Sequence, residues 1–559
     1  MLFIAQFAQG QGVQSDILQM DAQRVAQLID TANMPERSFV IRSTSQFWQD
    51  ALDNRIGKFK RVQFSLVQLG YTQQTNNHLA IGANDGSLYP SVGLQQRLTL
   101  GVNLQWRYFS LHLQPEFVSA ENLDPLPFKS DPNDGNYWAK YYLYIVNKID
   151  NFSRMGQAPL QKYFPGQSSF RINTKTVSLG ISTENIWWGP GIKNSLVLTN
   201  NAPGFLHVTL NSRKPIATPI GHFEFQAVAG ILPNDTTIAP EDSLMRTIWA
   251  DGIAKKSQVD RGFVGGIISW NPKWTPNLHI GVIGSNYFYK DSNITTTPSV
   301  LLMDTENKPN TGALGSVFIR YAMPKEKAEI YLEYGRADKL ASPFNLFGDT
   351  IPTGYTAGFR KIFTLGNNHK SYIQFTAEVT QLQLPDARLI FNSAGVWGIP
   401  RTKSWYTNPF IRQGYSNESQ VMGASIGPGS NSETFGIAWI KGMKRIGIQG
   451  ERIAHNNDFY YYNYLSYHVD ANGNGYFAGT SNKYWADMSL AFHVQYDYKQ
   501  LLFSGFVNFT NSLNYHWVKL DGIGYADPSP LSDRKNTQAS FTISYFFKRN
   551  AASLLHLPD

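Results

Sequence analysis

The chain has 559 residues, no cysteine, 16% charged residues, 14% aromatics and a formal net charge of +8. The missing cysteine excludes disulfides, a thiol nucleophile and cysteine-based metal sites, and the charge is spread without a basic block, which argues against nucleic-acid binding. Charge this sparse, against roughly 25% in soluble domains, with a mean hydropathy of −0.30 and no run near the roughly 18 to 20 apolar residues of a membrane helix, fits strands that put one face in lipid.

The chain opens with MLFIAQFAQGQG, a short apolar run before small residues, which reads as a signal-peptide remnant over 1–12. Ser15 to Asp30 reads as an amphipathic helix, with Leu18, Ala22, Val25 and Ile29 on one face. A second helical pattern over 135–150 places Trp138, Tyr141, Tyr142, Ile145 and Ile149 together. Neither is long enough to span a bilayer.

Elsewhere a period of two dominates. Leu98, Leu100, Val102, Leu104 and Trp106 alternate with Thr99, Gly101, Asn103 and Gln105. Val177, Leu179 and Ile181 alternate with Ser178, Gly180 and Ser182; Ile373, Phe375, Ala377 and Val379 alternate with Gln374, Thr376 and Glu378; and Met488, Leu490, Phe492, Val494 and Tyr496 alternate with Ser489, Ala491, His493, Gln495 and Asp497. These runs of about 9 to 11 residues match tilted membrane strands, longer than the roughly 5 or 6 of a soluble sandwich. Short turns at 324–327, 366–369, 443–445 and 498–500 alternate with long loops at 382–432 and 455–483. Outer-membrane barrels sort their loops this way. The patterns give 16 to 20 candidate strands, ending on one rich in aromatics at Phe541, Tyr545 and Phe547. The rival is a soluble polysaccharide-active enzyme, yet no HExxH or P-loop occurs.

The candidate sites follow from side-chain chemistry. Asp470 to Gly475 resembles the opening of a calcium loop, but Ser481 stands where a bidentate Glu is needed, so it reads as a turn and no metal is assigned. His455 and Asp458 read as neighbours by chance and not as an acid–base pair; no catalytic residue and no cofactor is assigned. Glu329, Glu333, Glu378 and Asp497 are expected to face the lumen, with Arg320 and Arg360 as partners. Tyr460, Tyr461, Tyr462, Asn463 and Tyr464 offer ring faces beside hydroxyls and an amide, the mixture a sugar needs. An interfacial aromatic girdle is the competing reading.

The segment Glu184 to Phe205 holds Trp187, Trp188, Gly189, Pro190 and Gly191, then Asn200 and Asn201. Gly-Pro-Gly is expected to end a strand beginning near Thr176, and the Asn pair to mark a second turn. The two tryptophans should then point to opposite faces, one toward lipid or interface and one toward lumen or plug. The segment reads as an architectural corner rather than a ligand platform.

ISTENIWWGPGIKNSLVLTNNAPGF resembles the signature of the Wzi-like capsule-assembly family of outer-membrane proteins. Two further stretches support the resemblance. One is Ile149-Asp150-Asn151 with Pro165 to Ser169 and Arg171. The other is Asn408 to Asn417, containing Arg412, Gly414, Tyr415 and Asn417, followed by Ile426 to Ser430. The resemblance implies a transmembrane β-barrel of about 18 antiparallel strands with short helical plug segments, in the outer membrane of a Gram-negative bacterium. It implies a non-enzymatic role in binding surface or capsular polysaccharide and supporting its assembly or retention. A porin or transporter for saccharides or other small solutes is the alternative. Expected partners are polysaccharide, outer-membrane lipid and the barrel-insertion machinery, without nucleic acid. The expected division is a plug region over 13–90, a barrel over 91–548 with a helical insert near 135–150, and a tail over 549–559.

Overall fold

In the computed structural model the described residues are 17–29, 38, 41–43, 62–125, 145–152, 154–156, 158–234, 256–290, 311–337, 352–366, 371–384, 404–464, 466–469, 475–478, 484–520 and 533–547. Their strands close into one antiparallel barrel of eighteen. In chain order the wall begins with β1 (Gln63–Asn76), β2 (Gly93–Trp106), β3 (Phe109–Leu113 and Glu116–Ala120) and β4 (Leu160–Phe164 and Ser169–Asn173). It continues with β5 (Val177–Ser182), β6 (His207–Ser212 and Ile216–Thr218), β7 (Gly221–Leu232), β8 (Arg261–Pro272) and β9 (Leu278–Tyr289). Next come β10 (Thr311–Met323), β11 (Ala328–Ala337), β12 (Thr353–Leu365), β13 (Ser371–Gln381) and β14 (Asn431–Lys441). The last four are β15 (Lys444–Ala454), β16 (Ala486–Tyr498), β17 (Leu501–Leu513) and β18 (Arg534–Phe546). β18 returns to β1, with Phe546 opposite Gln68 and Gln538 opposite Asn76, so the described barrel wall has no open edge.

The alternation in the sequence is the inside-out pattern of this wall. Leu98, Leu100 and Trp106 are exposed outward, as are Leu179 and Ile181, and Met488, Leu490, Phe492, Val494 and Tyr496, while Thr99, Ser178 and Gln495 are buried inside. Trp106, Tyr108, Trp274 and Tyr498 ring the short-turn end on the exposed surface, the level at which indole and phenol rings favour a headgroup interface. Among the described residues no helix is long and apolar enough to cross a membrane; crossing is the work of the strands.

The interior is not a water-filled bore. α1 (Ile17–Ile29) lies in the lumen at the short-turn end, where Val25 and Leu28 pack on Ala322, Ile362, Tyr372, Ala438 and Ile440. A larger core joins Trp188, Leu196, Leu198, Phe205, Trp405, Tyr406, Tyr415 and Met422 to wall residues such as Phe263, Ile283 and Phe318.

Several sequence expectations need correction. The wall starts at Gln63, not 91, so residues 63–76 are strand and only the return 77–92 folds back into the lumen. Of the helix expected over 135–150, the described end is a 3-10 turn, Val146–Lys148. The strand that should have run from Thr176 to Trp188 leaves the wall at Ser182. Neither Trp187 nor Trp188 meets lipid: both are buried in the lumen, because the segment after Ser182 turns inward. The aromatic run expected as a loop is a helix, α2 (Asn457–Tyr464). Residues 1–12, 470–474 and 549–559 lie outside the described ones.

A plugged lumen and the slot beside it

The plug is built from three chain segments that leave the wall and cross the lumen. The first, 77–92, follows β1. The second is Glu184 to Phe205. Buried Glu184 anchors it at one end, held by Arg171 at 2.6 Å and by the hydroxyls of Ser169 and Ser182. Ile186–Trp188 pairs with Ile41–Ser43. The Trp188 amide donates to the Leu198 carbonyl at 3.0 Å, and its indole Nε1 donates to Gln226 Oε1 at 2.9 Å. Trp187 Nε1 donates to Ser195 Oγ at 3.0 Å.

Beyond Trp188 the segment reaches the far wall. Gly189 adopts φ 113°, and a Cβ there would lie 2.6 Å from Glu333 Oε2, so a side chain is excluded on both counts. The amides of Ile192, Lys193 and Asn194 donate to the Glu378 carboxylate on β13, at 2.6, 3.2 and 2.8 Å. Tyr331 Oη donates to the same carboxylate at 2.6 Å. The Leu196 amide donates to Glu333, and Thr356 Oγ1 donates to the Asn194 carbonyl at 2.8 Å. Two carboxylates expected to pair with arginine are therefore spent on backbone amides of a crossing strap, which a buried strap needs in place of a sheet ladder.

The third segment, 404–430, locks onto the second. Asn417 Nδ2 donates to the Pro203 carbonyl and Asn201 Nδ2 to the Val421 carbonyl, both at 2.9 Å. Thr199 binds Met422 and Gly423, and Tyr406 Oη donates to the Leu196 carbonyl at 2.7 Å. Tyr415 is fully buried, stacks on Tyr406 at 5.9 Å and bonds Ser285. Gly414 takes φ 62° where a Cβ would strike the Lys148 and Tyr406 carbonyls, and its own carbonyl accepts from Arg261. Asn200 closes the contact with the first segment through the Asn84 carbonyl and the Gly86 amide. Burial lowers the Lys148 ammonium to about 8, with partly exposed Arg412 adding to the fall; burial also lowers Lys256, against the opposing charge of Asp150.

α1 is tied to the same assembly by charge. Arg24 donates to Glu329 at 2.7 Å and to the Pro190 carbonyl at 2.6 Å. Glu329 also takes Arg320 at 2.7 Å and Arg360 at 3.4 Å, the arginines expected from the sequence. Asp21 is bridged by Arg360 and Arg445. Burial raises the Asp21 pKa, but the two guanidiniums outweigh it and hold the carboxyl well below its usual range.

Between this plug and strands β13 to β18 runs a cavity of about 420 Å³. Its inner end reaches Asp21, Arg445 and His493, and its outer end Asp487, Trp485 and Tyr515. At the outer end His455 Nε2 lies 2.9 Å from Asp487 Oδ2 and its ring stacks on Trp485 at 4.2 Å. Trp485 donates to Ser512 at 2.8 Å and meets Tyr515 edge-on at 5.2 Å. Asp458 faces elsewhere: its carboxylate takes the Ser404 hydroxyl and the Leu384 amide, and burial raises it to about 6.

Of the tyrosine run, Tyr460 is fully buried and packs on Tyr484 at 4.7 Å, while Tyr461 to Tyr464 complete α2. Asp497, the fourth acid assigned to the lumen, is half-buried. Sequence reading missed the cavity because its walls are scattered inward positions on six strands; period two marks which residues face in but not which strands face the plug. Among the described residues no three His, Cys, Asp or Glu side chains converge to hold a metal.

The family model for the capsule assembly protein Wzi matches residues 84–498. Wzi of Escherichia coli, an outer-membrane protein involved in group 1 capsule assembly and described as a carbohydrate-binding β-barrel, has a similar fold. The two are 12% identical, with 96% of this chain and 99% of that one covered and a TM-score of 0.54. OccK5 of Pseudomonas aeruginosa (10% identity, 88% and 99% covered, TM-score 0.39) and OccAB2 of Acinetobacter baumannii (11%, 88% and 100%, 0.39) are more distant. No curated protein sequence matches the chain. The chain belongs to the Wzi capsule-assembly family and is an outer-membrane β-barrel.

Proposed function

We propose that this barrel binds surface or capsular polysaccharide and supports its assembly or retention at the cell surface, by binding alone and with no chemical step. The observation that carries the reading is that, in a chain matching the capsule-assembly family, the segments that carry the resemblance are spent on plugging the lumen. A barrel blocked by its own chain is suited to hold a polymer at its outer end, each contact weak and the sum strengthened by repetition along the chain. The outer connections, α2 with Tyr461, Tyr462, Asn463 and Tyr464 included, supply the contacts. Trp187 to Gly191, Asn200, Asn201, Arg412, Gly414, Tyr415 and Asn417 serve the plug. Outer-membrane lipid around the exposed aliphatic belt and the insertion machinery during biogenesis complete the partners.

The test is deletion of the gene, with capsule staining of the cells and pull-down of purified polysaccharide by the detergent-solubilised barrel. Loss of retained capsule together with polysaccharide capture supports the reading. Unchanged capsule and no capture overturn it.

A further inference from the structure

The cavity beside the plug is a built site, and its chemistry selects a ligand class. The wall facing it is laid in register across five strands. Gln374 lies opposite Ala438, Ala438 opposite Gly447, Gly447 opposite His493, and His493 opposite Phe506. The small residue at 438 makes room for α1, and the one at 447 for the His493 ring. A Cβ on Gly447 would lie 2.2 Å from His493 Nε2, so the imidazole occupies the space that glycine leaves. The next inward row carries Gln449, Ala491 and Asn508.

The charges on the cavity wall are answered among the described residues. Lys193 pairs with Glu451, Arg445 with Asp21 and His455 with Asp487, Glu378 is spent on three strap amides, and Asp85 accepts from Gln74 Nε2 and the Ala83 amide. Apart from Arg445 Nε, a donor on a guanidinium already bridged to Asp21, the hydrogen-bonding capacity left over is neutral. Gln374 Oε1, His493 Nε2 and Asn508 Oδ1 have no partner among the described residues, and Gln374 is 2% exposed. Beside them stand Phe506 and Ile453. An orphan buried amide oxygen is costly, so this wall is poised for a ligand that offers hydroxyl donors and apolar C–H faces without net charge.

Resting on the polysaccharide reading above, we propose that the slot between the plug and β13–β17 is a binding site for one or two units of a neutral saccharide, with Gln374, His493 and Asn508 accepting its hydroxyls and Phe506 meeting its ring. A volume of about 420 Å³ falls within the roughly 300 to 1,000 Å³ of small-molecule sites. The polymer would then enter by an end or a branch, with its length outside the barrel.

The experiment titrates the full-length barrel in detergent with cellobiose, glucuronate and glucosamine, read by saturation-transfer NMR. Ala491→Trp fills the slot from the wall, and Asn508→Ala removes one acceptor with little risk to folding. A mobility difference between boiled and unboiled samples reports the folded barrel. Cellobiose should bind in preference to both charged sugars, lose all binding in A491W and weaken at least threefold in N508A. If A491W fails to fold, N508A decides alone. Equal cellobiose binding in the folded variants, or preference for a charged sugar, overturns the slot. If no neutral sugar binds while polysaccharide is still pulled down, the slot fails and the function stands; if both fail, both readings fall.

Discussion

Single side chains hold the plug to its wall, and the cost of losing them depends on what is left behind. Glu378 accepts three strap amides and one phenol. Truncation to Ala would orphan buried donors at about 1 to 3 kcal/mol each. Glu378→Ala is therefore expected to fold with a loosened strap and to lose heat-modifiability several degrees below wild type, and an unchanged transition would show that the strap is held elsewhere. Trp188 is fully buried, and Trp188→Ala should cost roughly 3 to 5 kcal/mol of barrel stability or block assembly. A folded W188A barrel with normal stability that no longer captured polysaccharide would reassign the tryptophans to ligand contact. At this scale the sequence was readable in kind but not in address. Gly189-Pro190-Gly191 announced a turn, and the segment read as architecture. That Trp187 and Trp188 both lie in the lumen depends on the chain leaving the wall after Ser182, and alternation cannot report where a strand stops when the inward strap is as apolar as the strand.

Among the elements, the barrel strands were legible because lipid on one side and a polar lumen on the other force a strict period of two. Strand ends such as Thr353–Leu365 and Ser371–Gln381 fall within a residue or two of the pattern. α2 was not legible. Its sequence, NDFYYYNY, contains residues of middling helix propensity and carries little amphipathic signal. It forms because Phe459 packs on Trp517 and Tyr460 on Tyr484, contacts from strands and connections distant in sequence. The helix carries its own pH dependence. Asp458 is raised to about 6 by burial, against an ordinary value of 3.8. The folded state thus binds an extra proton between those values, and the element loses stability as pH rises from about 4 to above 6, by roughly 3 kcal/mol at most. Asp458→Asn keeps an acceptor for the Leu384 amide and should raise the unfolding transition at pH 8 while leaving it unchanged near pH 4. A variant that destabilised the barrel equally at both pH values would show that the carboxylate is held charged.

For the whole molecule the open question is transport against retention, and the plug makes it measurable. The slot ends inward at Asp21 of α1 and at Arg445 and His493 of the wall. α1 therefore stands between the slot and the short-turn end, the periplasmic side in barrels of this kind. With α1 in place the full-length protein should show little steady conductance in planar bilayers. Removing residues 17–29 should raise conductance several-fold, because the strap of Glu184 to Phe205 crosses the lumen beside the slot and not over it. The deletion also strips Asp21 and Arg24 from the network, leaving Arg320, Arg360 and Arg445 facing one carboxylate, Glu329. The opened path should therefore prefer anions, and a reversal potential measured in a salt gradient will give its sign. A large steady conductance in the intact protein would sink the plugged-receptor reading in favour of a solute channel. Unchanged conductance on deletion would mean that the three crossing segments alone seal the lumen, and that α1 braces the wall without acting as its gate.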